Sequence, residues 1–127
     1  VFLDKNVQVA TLASTNISIS DVHNPNRIKL VLDDDENAMY FSRSAIPNVG
    51  KNQDSFVYLK HIGVYAFRKE ALMRIESMQQ CDLEKAESLE QLRWMFYGEK
   101  IKVVKTTIET PNIDTPEDVE KVLALLR

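Results

Sequence analysis

The spacing of apolar residues divides the chain into alternating and helical segments. Apolar and β-branched residues fill 7–14, and alternation over 27–33 and again over 38–43, around a short acidic turn, predicts a β-hairpin. Apolar density is nearly continuous over 58–67, which is typical of a strand buried on both faces, and alternation returns over 101–108. The pattern therefore predicts five strands, two of which form the hairpin.

Helical spacing takes over in the second half of the chain. Segments 69–78 and 82–97 each place apolar residues on one stripe, with Asp82 expected to cap the second helix and Gly98 to end it. Thr115 is expected to cap a last helix. The inward-facing residues of that helix are expected to be Val119, Val122, Leu123 and Leu126. The order strand, helix, helix, strand, helix indicates an α/β fold with a buried sheet, on which the hairpin is an insertion or an edge.

Composition and charge narrow the functional classes by exclusion. The 127 residues are 44% apolar, enough for a core, and their net charge of −3 leaves no basic surface suited to nucleic acid. Cys81 is the single cysteine, which excludes an internal disulfide, and no apolar run approaches the roughly 20 residues of a membrane span. Three scattered glycines exclude a glycine-rich phosphate loop within these residues. We expect a cytoplasmic protein with no nucleic-acid partner and no membrane span.

His61, Gly63 and Tyr65 are candidates for a binding site, because alternation with a period of two puts them on one face of the predicted strand 58–67. A glycine between a histidine and a tyrosine leaves a hollow with polar groups at both ends, which suits a polar ligand. The alternative is a histidine and a tyrosine satisfied at the edge of the core, with Gly63 only letting a neighbouring helix approach.

Three further side chains are candidates for ligand contacts. Glu90 and Gln91 flank the apolar stripe of the predicted helix 82–97, where a carboxylate and an amide suit sugar hydroxyls or else form a solvated flank. Arg43 ends the second hairpin strand, where its guanidinium would reach a carboxylate or phosphate, or else remain a surface charge.

Acidic residues offer one candidate metal ligand. Asp114 lies between a predicted strand and a predicted helix, at the corner where α/β sheets place ligand contacts, and its carboxylate suits Mg²⁺. The same residue type also suits a turn and the dipole of the following helix. The acidic run 33–36 offers more carboxylates, but turn chemistry explains each of them, and we interpret the run as a solvated turn.

Four motifs occur together in the order found in one known family. They are Tyr40-Phe-Ser-Arg43 with Ile46-Pro47, His61-Ile-Gly-Val-Tyr65, Glu87-Ser-Leu-Glu-Gln-Leu-Arg93 with Gly98-Glu-Lys-Ile101, and Asn112-Ile-Asp-Thr-Pro-Glu-Asp118. Their combination resembles the 3-deoxy-manno-octulosonate cytidylyltransferases, also called CMP-Kdo synthetases. The likeness covers nearly the whole chain, including the strand Val9-Ala-Thr-Leu-Ala13.

The resemblance implies both a fold and an activity. The fold would be a Rossmann-like α/β nucleotide-diphospho-sugar transferase fold, of which 1–127 is the C-terminal portion, with a β-hairpin insertion at about 27–57 that makes the enzyme a homodimer. The activity would be transfer of the cytidylyl group of CTP to the anomeric hydroxyl of Kdo, which gives CMP-Kdo and pyrophosphate for lipopolysaccharide synthesis. A cytidylyltransferase for a related acid sugar (8-amino-Kdo or a sialic acid) and a non-catalytic sugar-binding or dimerisation module are the alternatives.

The resemblance also implies roles for individual residues. The sugar acid would be bound by His61, Tyr65, Glu90 and Gln91, with Arg43 as a contact to its carboxylate. Asp114 would coordinate Mg²⁺, the expected cofactor. The nucleotide loop of that family, which holds glycine, a basic residue and proline, has no counterpart in these residues, and members of the family are about twice this length. We therefore expect the chain to be the C-terminal half of the enzyme, to hold no catalytic residue of its own, and to be inactive alone.

Overall fold

One mixed sheet organises the chain. The computed structural model describes residues 1–50, 56–108, 113 and 116–125, with the backbone alone at 117, 121 and 125. Within these residues the strands are β1 (Val9–Ser14), β2 (Lys29–Leu32), β3 (Ala38–Ser42), β4 (Leu59–Phe67) and β5 (Ile101–Thr106), in the order β3-β2-β4-β1-β5. β1 and β5 are parallel, and the other neighbouring pairs are antiparallel. All five predicted strands are confirmed.

Helices connect and cover these strands. Those described are α1 (Ile19–Val22), α2 (Lys69–Glu76), α3 (Asp82–Glu87), α4 (Gln91–Phe96) and α5 (Pro116–Leu125). The short α1 lies in a polar segment and is capped by Ser18, whose hydroxyl accepts a hydrogen bond from the Asp21 backbone N–H at 3.1 Å. In the part of the chain that the structure describes, no helix is long and apolar enough to cross a membrane.

A break divides the helix predicted over 82–97, so that prediction is wrong. Ser88 separates α3 from α4 and has a left-handed backbone with φ of 53°. The preceding carboxylate, Glu87, accepts hydrogen bonds from the Ser42 hydroxyl at 2.6 Å and from the Arg43 backbone N–H at 2.9 Å. These contacts tie the end of α3 to the end of β3, and the chain turns there instead of continuing its helical hydrogen bonds.

The two ends of this helix pair compare differently with the prediction. Cys81, not Asp82, occupies the N-cap of α3, and its side chain makes no capping hydrogen bond. At the other end Gly98 follows α4 with φ of 93°, which confirms the predicted stop, because glycine adopts this left-handed conformation without a steric penalty.

β4 is less buried than its apolar density predicts. Gly63 and Val64 are exposed, so the expected burial on both faces is wrong. β2 pairs with β4 only at Leu59 and Lys60. Within the described residues the remainder of that edge of β4 has no neighbouring strand, and apolar residues there lie at the surface.

The hydrophobic core joins the sheet to α2 and α4. Its most buried members include Val9, Leu30, Phe41, Ala71, Leu92, Ile101 and Val103. The inward stripe predicted for the last helix is wrong at Val119 and Leu123, which are exposed, whereas Val122 is half-buried. Leu126 lies outside the described residues.

Candidate functional site

A β-bulge between β1 and β4 lies at the centre of the candidate site. Thr11 pairs with Tyr65 and the next residue, Leu12, pairs with Ile62. Gly63 and Val64 therefore bulge out of the antiparallel register, which re-aims the side chains on either side of them.

His61 lies on one side of this bulge. Its Nε2 is 2.9 Å from the Thr11 hydroxyl oxygen, and its ring meets the edge of Phe41 with the ring centroids 5.0 Å apart. Burial lowers the pKa of the imidazole from 6.5 to about 4. His61 is therefore neutral near pH 7, able to donate one hydrogen bond and accept another.

Tyr65 lies on the other side of the bulge, with its ring centroid 5.3 Å from that of His61 and 5.0 Å from that of Trp94. Burial, assisted by the negative charge of Glu90, raises the pKa of the Tyr65 phenol. Its hydroxyl and the Trp94 indole N–H are both buried, and neither has a hydrogen-bond partner among the described residues. A buried donor without a hydrogen-bond partner destabilises the fold unless another group accepts its hydrogen bond. The region between Tyr65 and Trp94 is therefore suited to receive a polar ligand.

Open space adjoins the bulge at Gly63. A Cβ atom placed on this glycine would have no heavy atom within 4 Å among its described surroundings. A bulge, rather than simple alternation, brings the His61 and Tyr65 rings to a centroid separation of 5.3 Å, and the hollow predicted between them stays a prediction.

Glu90 and Gln91 begin the helix that packs against Tyr65. Glu90 is the N-cap of α4, and its carboxylate, 65% exposed, accepts a hydrogen bond from Arg93 at 2.7 Å. Gln91 is the first residue of α4 and is only 6% exposed. Trp94, on the next turn of α4, contacts the Tyr65 ring. The structure thus brings the predicted pair on β4 and the predicted pair on α4 into one region.

Arg43 has a different environment from these four residues. Its guanidinium donates to the backbone carbonyls of Glu87 at 2.7 Å, Pro25 at 3.0 Å and Ser88 at 3.3 Å. The side chain therefore braces the break between α3 and α4. Its predicted contact with a substrate carboxylate stays a prediction.

No metal centre is formed by the described part of the chain. Asp114, the predicted ligand, lies outside the described residues. Among those described, no three His, Cys, Asp or Glu side chains are placed to hold a metal ion together. The acidic run 33–36 forms the hairpin turn, as interpreted: the Asp33 carboxylate accepts a hydrogen bond from the Asn37 backbone N–H at 2.7 Å, and Glu36 pairs with Lys105 at 3.0 Å.

Sequence reasoning missed Thr11. The residue is 2% exposed and lies between the apolar residues of β1, where a polar residue needs an internal partner. That signal marks Thr11 as unusual, but its partner is 50 residues away along the chain, and only the pairing of β1 with β4 identifies it.

The mixed five-stranded sheet with its helices matches the nucleotide-diphospho-sugar transferase fold expected for this chain. The sequence model of the cytidylyltransferase family matches residues 2–101. The chain therefore belongs to the cytidylyltransferase family.

Individual relatives bear a more specific name than the family does. The chain is 50% identical to a 3-deoxy-manno-octulosonate cytidylyltransferase of Porphyromonas gingivalis, over 94% of this chain and 50% of that protein. It is also 50% identical to the enzyme of the same name from Parabacteroides distasonis, over 98% of this chain and 53% of that protein. A solved CMP:2-keto-3-deoxy-manno-octonic acid synthetase, complexed with CTP, superposes with a TM-score of 0.89 at 39% identity, covering 98% of this chain and 51% of that one. The chain thus spans about half the length of the relatives it matches.

Proposed function

We propose that this chain is the sugar-binding portion of a 3-deoxy-manno-octulosonate cytidylyltransferase, which uses CTP and Kdo to make CMP-Kdo. The observation that carries the proposal is the pair of uncharged polar rings on β4: the neutral imidazole of His61 lies 5.3 Å, between ring centroids, from the Tyr65 ring, whose buried phenol has no partner among the described residues. Relatives at 50% identity bear the name of this activity. The product would serve lipopolysaccharide synthesis in the cytoplasm.

The four candidate side chains of β4 and the start of α4 suit an acid sugar. The Tyr65 phenol stays protonated well above neutral pH because burial raises its pKa, so it remains a donor for a carboxylate or hydroxyl oxygen. The neutral imidazole of His61 adds a second contact. Glu90 accepts hydrogen bonds from hydroxyl groups, and the Gln91 amide both donates and accepts them. We propose that this set binds Kdo and orients its anomeric hydroxyl.

Orientation is the main contribution that these residues would make to the reaction. The anomeric oxygen forms a bond with the α-phosphorus of CTP, the bond between that phosphorus and the bridging oxygen breaks, pyrophosphate leaves, and the hydroxyl proton passes to water. Holding the attacking oxygen in line with the phosphorus turns a bimolecular encounter into a unimolecular step. The described residues would hold the sugar and thereby set this alignment.

Magnesium is proposed as the cofactor, with Asp114 as one ligand. When bound, it would offset negative charge on the triphosphate. One carboxylate does not make a magnesium site, and the described residues supply no cluster of ligands. The remaining ligands would come from phosphate oxygens, from water or from residues other than those described.

A homodimer formed through 27–57 is proposed as the assembly. This segment exposes apolar side chains at Met39 and Phe56. Phe56 also lines a largely apolar groove of about 400 Å³, together with Leu32 and Val57 among others. Exposed apolar surface of this kind is typical of a contact with another chain.

Filling the open space at Gly63 tests the proposed sugar site. In the full-length protein that contains this chain, Gly63→Val adds a side chain to open space, so the fold is expected to tolerate it. If Kdo binds beside Gly63, the KM for Kdo should rise at least about tenfold, equivalent to about 1.4 kcal/mol of binding. The KM for CTP should stay within about twofold, because the nucleotide is proposed to bind elsewhere.

The matched control is Ala66→Val, which enlarges another exposed residue of β4. This variant should leave both KM values unchanged. An unchanged KM for Kdo in a folded Gly63→Val protein would contradict the proposed site.

A further inference from the structure

We propose that Thr11 is a positioning residue for the reaction: its hydroxyl holds the His61 imidazole in the tautomer whose Nδ1 accepts a hydrogen bond from the sugar. The inference rests on the proposed function, in which His61 contacts Kdo. It adds a residue on β1 that lies in none of the four motifs and that the sequence did not identify as part of the site.

The environment of the Thr11 hydroxyl carries the argument. The residue is 2% exposed, and its oxygen lies 2.9 Å from His61 Nε2, 2.9 Å from the Val64 carbonyl oxygen and 3.3 Å from the Ile62 carbonyl oxygen. A buried hydroxyl among three polar atoms is held in one place, and all three atoms belong to the bulged strand β4.

The neighbouring carbonyl groups decide which way the hydroxyl proton points. The carbonyl oxygens of Val64 and Ile62 can only accept hydrogen bonds, so the Thr11 hydroxyl is the donor to them. The Val64 carbonyl oxygen, at 2.9 Å, is the nearer of the two and takes the proton. Since a hydroxyl has one proton to donate, its contact with His61 must run the other way, with the imidazole as donor and the Thr11 oxygen as acceptor.

This direction fixes the imidazole. A neutral histidine carries one ring proton, and here that proton is on Nε2. Nδ1 is then left with its lone pair. Within the described residues the hydrogen bond that the structure gives the ring is the one through Nε2. The Nδ1 atom is therefore available to accept a hydrogen bond from a sugar hydroxyl in the open space at Gly63.

Substitution at Thr11 separates positioning from simple structural support. Thr11→Val keeps the shape but removes the oxygen, and Thr11→Ser keeps the hydroxyl. In the full-length protein we expect Thr11→Val to raise the KM for Kdo by about tenfold or more and to leave the KM for CTP within about twofold. Thr11→Ser should have a KM for Kdo close to that of the unsubstituted protein. Should valine prevent folding, Thr11→Ala replaces it in the same comparison.

Nitrogen NMR of the histidine rings tests the tautomer directly. In protein labelled with ¹⁵N-histidine, the His61 signal, assigned by its loss in His61→Gln, should show a protonated Nε2 and an unprotonated Nδ1 at pH 7. The same pattern is expected in Thr11→Ser. In Thr11→Val we expect the signal to shift toward a mixture of the two tautomers.

Distinct results would overturn the two levels of the proposal. A protonated Nδ1 in the unsubstituted protein, or an unchanged tautomer in Thr11→Val, would overturn the role of Thr11 in fixing the ring. Normal Kdo binding by Thr11→Val, combined with impaired Kdo binding by His61→Gln, would overturn only the role of Thr11 in the reaction and would leave the sugar site standing. Normal Kdo binding by His61→Gln would overturn the proposed sugar site itself.

Discussion

At the scale of single residues, burial determines what His61 and Tyr65 can do. The imidazole has its pKa lowered to about 4 because the charged form loses solvation, and the same cause raises the pKa of the phenol. Both side chains are therefore neutral at physiological pH. They are neighbouring hydrogen-bonding groups without charge, which suits hydroxyl-rich ligands better than a general acid–base role.

The pKa of His61 predicts a pH dependence of stability. The unfolded chain binds a proton on this residue near pH 6.5, whereas the folded chain does so only near pH 4. The free energy of unfolding should therefore fall as the pH drops from about 6.5 to about 4, with a contribution from this residue on the order of 1 to 3 kcal/mol. Urea unfolding of the full-length protein at pH 7.5 and pH 5 measures the effect.

A comparison of variants isolates His61 from the other titrating groups. His61→Gln removes the titration and should reduce the loss of stability between those two pH values. His23→Gln, at an exposed position, should leave the loss unchanged. An equal loss in the unsubstituted and His61→Gln proteins would show that His61 does not titrate as described.

At the scale of elements, the break between α3 and α4 positions the start of α4. The Arg43 guanidinium donates hydrogen bonds to the carbonyls of Glu87 and Ser88. The Glu87 carboxylate accepts hydrogen bonds from the Ser42 hydroxyl and the Arg43 backbone N–H. The buried Lys29 amino group also donates to the Arg43 carbonyl at 2.6 Å. Glu90 and Gln91 follow this braced turn at once, so the brace determines where they lie.

Arg43→Lys should loosen the brace. Lysine carries the same charge but lacks the planar fork that reaches three carbonyl groups, so we expect the free energy of unfolding to fall by about 1 to 2 kcal/mol and the KM for Kdo to rise. Chemical denaturation and steady-state kinetics of the full-length protein give both values.

Arg74→Lys is the matched control for this substitution. Arg74 is half exposed and donates two hydrogen bonds to the Glu99 carboxylate; lysine keeps the positive charge beside that carboxylate, so Arg74→Lys should leave the KM for Kdo unchanged and cost less stability than Arg43→Lys. If Arg43→Lys retains full stability and loses only Kdo binding, the brace is not its main role, and the contact with the substrate carboxylate predicted from the sequence gains support.

The same elements show how far sequence reasoning extends. Periodicity located all five strands and the helical stretches that begin at residues 69 and 82, because apolar spacing follows directly from which faces are buried. It did not locate the break at Ser88, which depends on hydrogen bonds that the Glu87 carboxylate accepts from Ser42 and Arg43, 45 and 44 positions away along the chain. The bulge beside Thr11 was missed for the same reason, since register between distant strands leaves no local pattern.

At the scale of the whole molecule, the proposed assembly concerns the hairpin. Met39 is 61% exposed on β3, within the segment proposed for dimerisation. In the full-length protein, light scattering should give the mass of a dimer, and Met39→Glu should shift it toward a monomer, because a buried unpaired charge opposes association. Met73→Glu, at a similarly exposed methionine of α2, should leave the dimer intact. A monomeric mass for the unsubstituted protein would contradict the proposal.

At the same scale, we propose that the full-length protein transfers a cytidylyl group from CTP to Kdo. The most direct test is the initial rate of pyrophosphate release with CTP and Mg²⁺, in the presence of Kdo, 8-amino-Kdo, a sialic acid or no sugar. We predict release that depends on both substrates, is fastest with Kdo and stops when Mg²⁺ is chelated. No release above the sugar-free rate with Kdo, or faster release with another acid sugar, would contradict the account.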